Sequence, residues 1–257
     1  MLTRAQIQRF AQRHGIGVQA QERDYVQCLL LFQFYSRSMN LVFKGGTALR
    51  IVYNGNRFSE DLDFNAAAPL ATMKELWQGA VNGLPGFGME AETRNEWQSE
   101  VGYSFDVSYR GPLFDGRDRT KGKVRVDINL RPEQVETRRE LVSPEYDDLR
   151  PFVVNVISPS HLLAEKIRAL FTRGKARDAY DVWLLSARGI EVERVLLEKK
   201  FAPLDIPLTR ERLQTALENA QANWERDLRP LLPQFVTWED AMAVVVPLLE
   251  RLVTQDT

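Results

Sequence analysis

Lys44-Gly45-Gly46-Thr47, followed by Ser59-Glu60-Asp61-Leu62-Asp63, is the stretch whose reading decides the fold. It places a glycine turn just upstream of two carboxylates separated by one residue. On a β-strand, residues i and i+2 share a face. Asp61 and Asp63 therefore point one way, while Leu62 and Phe64 point into the core. Two like charges held together need a cation, a proton or a strong compensating network. A magnesium ion beside nucleotide phosphates meets that need.

Working outward, Leu41-Val42-Phe43 reads as a short strand ending at the glycine turn. Thr47 begins a helix that runs through Tyr53 and stops at Asn54-Gly55-Asn56. The carboxylate strand follows at about 60–65. Upstream, residues 3–13 and 22–36 read as helices. Downstream, 70–82 reads as a helix and 87–94 and 102–110 as strands. In the second of these, Tyr103, Phe105, Val107 and Tyr109 share one face, with Ser104, Asp106 and Ser108 opposite. Residues 111–122 form a polar turn. The cleanest alternation lies at 124–130, where Val124, Val126, Ile128 and Leu130 oppose Arg125, Asp127 and Asn129. An acidic residue central to so apolar a strand is costly unless its face is open or paired. Asp127 is thus a third carboxylate beside Asp61 and Asp63.

Residues 151–157 read as another strand. Ser158-Pro159 is a helix start, with Ser158 as N-cap and Pro159 at the first helical position. The remainder reads as helices at about 160–172, 175–187, 191–200, 209–228 and 239–253, with a domain boundary near 157.

These residues suit metal-assisted phosphoryl or nucleotidyl transfer. Asp61 and Asp63 hold Mg²⁺ against a triphosphate, and Asp127 helps place a second metal and the attacking hydroxyl, or serves as its base. Gly45 and Gly46 let the backbone approach phosphates closely, and Thr47 with the following helix N-terminus can donate to them. A second cluster comprises Lys166, Arg173, Arg177, Asp178 and Asp181. It reads equally as a phosphate clamp with carboxylates orienting its cations, or as a solvated ion-pair network. The basic segment from Arg110 to Arg125 reads either as an electrostatic guide for an RNA backbone or as a solvated hairpin.

The 257 residues, 44% of them hydrophobic, suffice for one large domain or two modest ones. No apolar run reaches the roughly 20 residues needed to span a bilayer, and the start does not read as a secretory signal. A single cysteine, Cys28, excludes an intrachain disulfide and reads as a core residue. With two histidines, His14 and His161, it argues against a zinc cluster. A net charge of −1 gives no bulk support for nucleic-acid binding. The expected location is cytoplasmic, with no membrane partner. Trp224 and Trp238 read as packing residues.

Four segments together resemble the AbiEii/AbiGii family of nucleotidyltransferase toxins. They are Phe43-Lys44-Gly45-Gly46-Thr47-Ala48-Leu49, Arg57-Phe58-Ser59-Glu60-Asp61-Leu62-Asp63, Arg125-Val126-Asp127-Ile128, and Leu163-Ala164-Glu165-Lys166 through Arg177-Asp178-Ala179-Tyr180-Asp181. The resemblance implies an α+β fold: a DNA-polymerase-beta-like nucleotidyltransferase core with a mixed sheet over 1–157. A predominantly helical domain over 158–257 completes the active-site cleft. It implies Mg²⁺ at Asp61, Asp63 and Asp127, with Gly46 and Thr47 near the phosphates of an NTP substrate and Lys166 and Asp181 in the same site; Gly45, Ser59 and Arg173 complete the expected NTP contacts. Lys166 and Asp178 join the three metal-binding aspartates as catalytic residues. Members of such a family act in toxin–antitoxin or phage-defence systems. Some transfer nucleotides to the tRNA acceptor end and block translation, with a separately encoded, often winged-helix, antitoxin as partner. Fold does not fix the acceptor. Two alternatives stand beside tRNA: NMP transfer to a protein or small molecule, and a nucleotide-sensing module without turnover.

Overall fold

In the computed structural model of the chain, residues 1–204 and 206–253 are described. The chain divides into two compact units, Met1–Ile157 and Ser158–Thr257.

The first unit is built on a mixed seven-stranded sheet. Its strands are β1 (Leu41–Lys44), β2 (Asp61–Ala66), β3 (Glu90–Gln98), β4 (Gly102–Arg110), β5 (Gly122–Asn129), β6 (Thr137–Val142) and β7 (Phe152–Ile157), in the spatial order β3-β4-β5-β2-β1-β7-β6. β2 runs parallel to β5 and β1 parallel to β7, while the other neighbours are antiparallel. The helices of this unit are α1 (Arg4–His14), α2 (Val18–Tyr35), α3 (Gly45–Ile51) and α4 (Leu70–Asn82). Leu62, Phe64, Phe105, Val107, Val124 and Val126 are fully or almost fully buried. They meet aromatic residues of the helices: Trp77 of α4 lies 4.9 Å from Phe34 of α2, 5.5 Å from Phe64 and 5.6 Å from Phe105, ring centre to ring centre. Such contacts add to area burial and fix the helix layer on the sheet. The alternate residues of β2 and β5 are left on the opposite face.

Several elements differ from expectation. The helix after the glycine turn starts at Gly45, two residues before Thr47. β6 (Thr-Arg-Arg-Glu-Leu-Val) carries no apolar alternation; it is an edge strand pairing only with β7, and charged residues suit an exposed edge. β3 begins at Glu90, after a short 3₁₀ turn over Leu84–Phe87, and continues to Gln98 through a bulge.

The second unit is helical: α5 (Pro159–Arg173), α6 (Ala176–Ala187), α7 (Arg194–Phe201), α8 (Arg210–Ala222), α9 (Trp224–Leu228) and α10 (Trp238–Val253). Ser158 occupies the N-cap position of α5, but its hydroxyl does not cap the helix; its Oγ lies 3.3 Å from that of Ser160. The single helix expected over 209–228 is broken at Asn223, whose φ of −119° and ψ of 8° are not helical. The break turns Trp224 inward, where Nε1 donates to the Val236 carbonyl at 2.9 Å and the ring meets Trp238 edge-on at 5.1 Å. Both tryptophans thus act in packing. Cys28 is buried, and burial pushes its thiol well above the usual range. Among the described residues, no helix is long and apolar enough to cross a membrane.

Candidate functional site

Strand pairing sets the first half of the site. β2 and β5 are parallel neighbours, with Asp63 opposite Asp127 and Asp61 opposite Arg125. Paired positions on adjacent strands are about 4.8 Å apart. Leu62 and Phe64 are fully buried on the core side, so Asp61, Asp63 and Asp127 share the other face, each partly exposed.

The glycine turn closes on the same row. Lys44 pairs with Asp63 across β1 and β2. Gly45 has φ +77°, a conformation that L side chains rarely adopt, and a Cβ there would run into the Asp63 carboxylate. A Cβ on Gly46 would strike the Arg57 guanidinium and come within 2.8 Å of the Ser59 hydroxyl. Ser59 and the buried Arg57 therefore back the turn directly. Thr47 is fully buried and its hydroxyl donates to the Asp61 backbone carbonyl. Its side chain thus fastens α3 to the carboxylate strand.

Arg125 is not among the site residues expected from the sequence, although alternation places it on the Asp127 face. Its guanidinium donates to Ser104 Oγ at 2.6 Å and to Asp127 Oδ1 at 3.3 Å, and lies 3.6 Å from Asp106 Oδ1. Burial pushes the Asp127 carboxyl up from its ordinary range. Arg125 opposes that rise, and the negative charges of Asp63 and Asp106 add to it. Asp106 is itself buried. Burial acts to raise its carboxyl, but the Asn95 amide, Lys123 and Arg125 outweigh it and hold the group below its ordinary value.

Two open cavities meet at Asp127. One, of about 410 Å³, is lined by Arg23, Glu60, Asp61, Lys123, Arg125 and Asp127. The other, of about 260 Å³, has Lys44, Asp63 and Asp127 on its wall. Among the described residues, no three acidic, histidine or cysteine side chains already converge as a metal cage. The donor set still fits a hard divalent cation: three carboxylates share one face, two in direct register, and negative charge already burdens Asp127. Mg²⁺ is commonly held by one or two carboxylates together with substrate phosphates rather than by an all-protein cage.

In the helical unit, α5 spans both Lys166 and Arg173 and ends at Gly174, whose φ of +56° caps it. Lys166 Nζ lies 2.7 Å from Asp181 Oδ2 and 3.9 Å from Asp178 Oδ1. Arg173 grips Asp178 through two bonds, at 2.6 and 2.7 Å. Both carboxylates are almost wholly buried, and Lys166 nearly so. These four residues form one interhelical network, more enclosed than a solvated surface pair.

The basic segment is largely neutralised by its own neighbours. Arg110 pairs with Glu90, Arg117 with Asp115, Lys121 with Asp118, and Lys123 with Asp106. That pairing favours the solvated hairpin over an RNA guide.

A family model described as "Nucleotidyl transferase AbiEii toxin, Type IV TA system" matches residues 29–244. A search of curated proteins finds no match. Among solved structures, the fold is similar to that of MenT4, a nucleotidyltransferase toxin from Mycobacterium tuberculosis H37Rv. The TM-score is 0.72 at 23% identity, covering 100% of this chain and 91% of the other. It is also similar to JHP933 from Helicobacter pylori, with a TM-score of 0.59 at 18% identity, covering 92% and 93%.

Proposed function

The chain belongs to the AbiEii family of nucleotidyl transferase toxins of type IV toxin–antitoxin systems, and on that premise we propose that it transfers an NMP from an NTP to the acceptor end of tRNA with Mg²⁺. The observation that carries this reading is the register of Asp63 with Asp127, with Asp61 on the same face and the Gly45 turn pressed against Asp63. Asp61, Asp63 and Asp127 would hold the metal, which supplies charge neutralisation at the phosphates.

The acceptor hydroxyl oxygen bonds to the α-phosphorus, the bond from that phosphorus to the bridging oxygen breaks, and pyrophosphate leaves. Asp127 takes the hydroxyl proton as the base on the acceptor side. Gly45 and Gly46 let Asp63, Arg57 and Ser59 close directly on the turn, and its backbone N–H groups would donate to the phosphate oxygens. Thr47 positions Asp61 through its carbonyl. Lys166 serves as a phosphate-binding ammonium, oriented by Asp178 and Asp181, while Arg173 holds Asp178 in place. The partner is an antitoxin encoded separately, for which a winged-helix protein is the proposal, and a tRNA acceptor places the reaction in the cytoplasm.

The reading is tested by supplying NTP labelled at either end of the triphosphate. Label entering tRNA from the α but not the γ position supports it. Label entering protein alone moves the acceptor, and γ-label entering RNA makes the enzyme a kinase.

A further inference from the structure

Trp97 is a large hydrophobic residue that stands 56% exposed, and the sheet aims it at the carboxylates. Along one row the paired positions are Trp97 with Ser104, Ser104 with Asp127, Asp127 with Asp63, and Asp63 with Lys44. Trp97, Ser104, Asp127, Asp63 and Lys44 all line the cavity of about 260 Å³.

This placement depends on an irregularity. Arg94 pairs with Asp106 and Trp97 with Ser104, so Asn95 and Glu96 together stand against Phe105 alone. Without that extra residue Trp97 would fall opposite Tyr103, on the core face; the bulge moves it to the carboxylate face. Asn95 carries the bulge with φ +52°, a left-handed conformation that asparagine tolerates better than most residues. Its amide donates to buried Asp106 at 2.8 Å, which also pairs with Arg125, the partner of Asp127. Glu96 is tied off by the Tyr103 hydroxyl at 2.9 Å and by Lys74 at 3.4 Å. The indole edge reaches Gly102, where a Cβ would sit 3.4 Å from Cζ3. The ring is thus held at one edge while more than half of the residue stays exposed.

We infer that Trp97 is a stacking platform for the terminal nucleobase of the acceptor RNA, presenting that nucleotide's hydroxyl to Asp127. The inference rests on the reading of Asp127 as the acceptor-side carboxylate. The glycine turn adjoins Asp63, on the far side of Asp127 from Trp97, so the triphosphate and the indole occupy opposite ends of the row. β3 lies two strand spacings from β5, about 10 Å, comparable with the reach of one nucleoside from a stacked base to its sugar hydroxyl. Aromatic stacking accepts any base, so Trp97 supplies position rather than sequence choice.

The test is binding of a fluorescently labelled single-stranded oligoribonucleotide with a free, unpaired 3′ end, by anisotropy, without NTP. Full-length native protein, Trp97→Ala and Trp97→Phe are compared, with NTP affinity measured separately. Trp97→Ala should weaken oligoribonucleotide binding at least about five-fold, leave NTP affinity within two-fold, and be largely rescued by Trp97→Phe. Oligoribonucleotide binding within two-fold of native in Trp97→Ala, or an equal loss of NTP affinity, would overturn it. Because no transfer is required, absence of tRNA labelling in the native protein would count against the proposed reaction and not against this contact.

Discussion

Thr47 donates its buried hydroxyl to the backbone carbonyl of Asp61, joining the first turn of α3 to the strand that carries two of the three carboxylates. Thr47→Val keeps the shape and removes the donor, leaving that carbonyl without this bond. The expected cost is about 1–2 kcal/mol of stability, with a fall in transfer of about 10- to 100-fold as Asp61 shifts. Thr47→Ser should retain most of both. Thermal denaturation and initial rates check this together. A rise in KM for NTP with unchanged stability would instead place the hydroxyl on phosphate.

Asp127 gives a prediction with a sign. Burial raises its carboxyl above the ordinary value of 3.8, against Arg125 and with the help of Asp63. The folded chain therefore binds this proton more tightly than the unfolded chain does. The associated stability is present in full below 3.8 and is lost as pH rises through the elevated value. Asp127→Asn avoids that loss. It should melt above the native protein at pH 7, with the gap closing as pH falls toward 3.8, while transfer drops at least about 100-fold. A lower melting temperature at pH 7 would show that Asp127 is instead stabilised as an anion by Arg125.

How far such residues were legible depends on what periodicity encodes. Alternation in Asp61-Leu62-Asp63-Phe64 and in Val124–Leu130 shows which side chains share a face, so β2, β5 and their apolar sides could be read directly. Alternation does not say which strands are neighbours. The register of Asp63 against Asp127, and the reach of Arg125 to Ser104, came only with the sheet. β6 escaped because an exposed edge strand needs no apolar pattern. The bulge at Asn95 escaped for a related reason: one extra residue reverses the phase, and Arg94 to Gln98 shows no apolar pattern that would reveal it. In the helical unit, spacing placed Lys166 and Arg173 two turns apart, but their common hold on Asp178 required the turn at Gly174.

Lys166 sits between two buried carboxylates, so its removal alone confuses folding with function. Lys166→Ala takes away the ammonium 2.7 Å from Asp181 and should cost about 3 kcal/mol or more. The double change Lys166→Met with Asp181→Asn removes charge on both sides and should recover most of that stability. Transfer should stay lost in the double variant, since the phosphate-binding charge is still missing. Denaturant midpoints and NTP-dependent transfer separate the two effects. Recovery of transfer along with stability would assign Lys166 a purely structural place.

The most direct test of the central claim is transfer from each α-labelled NTP, with Mg²⁺, to purified total tRNA by the native chain and by folded Asp61→Ala. The account predicts labelled tRNA with the native chain and none with the variant. Equal labelling by both proteins, or none by the folded native chain with any NTP, would contradict it.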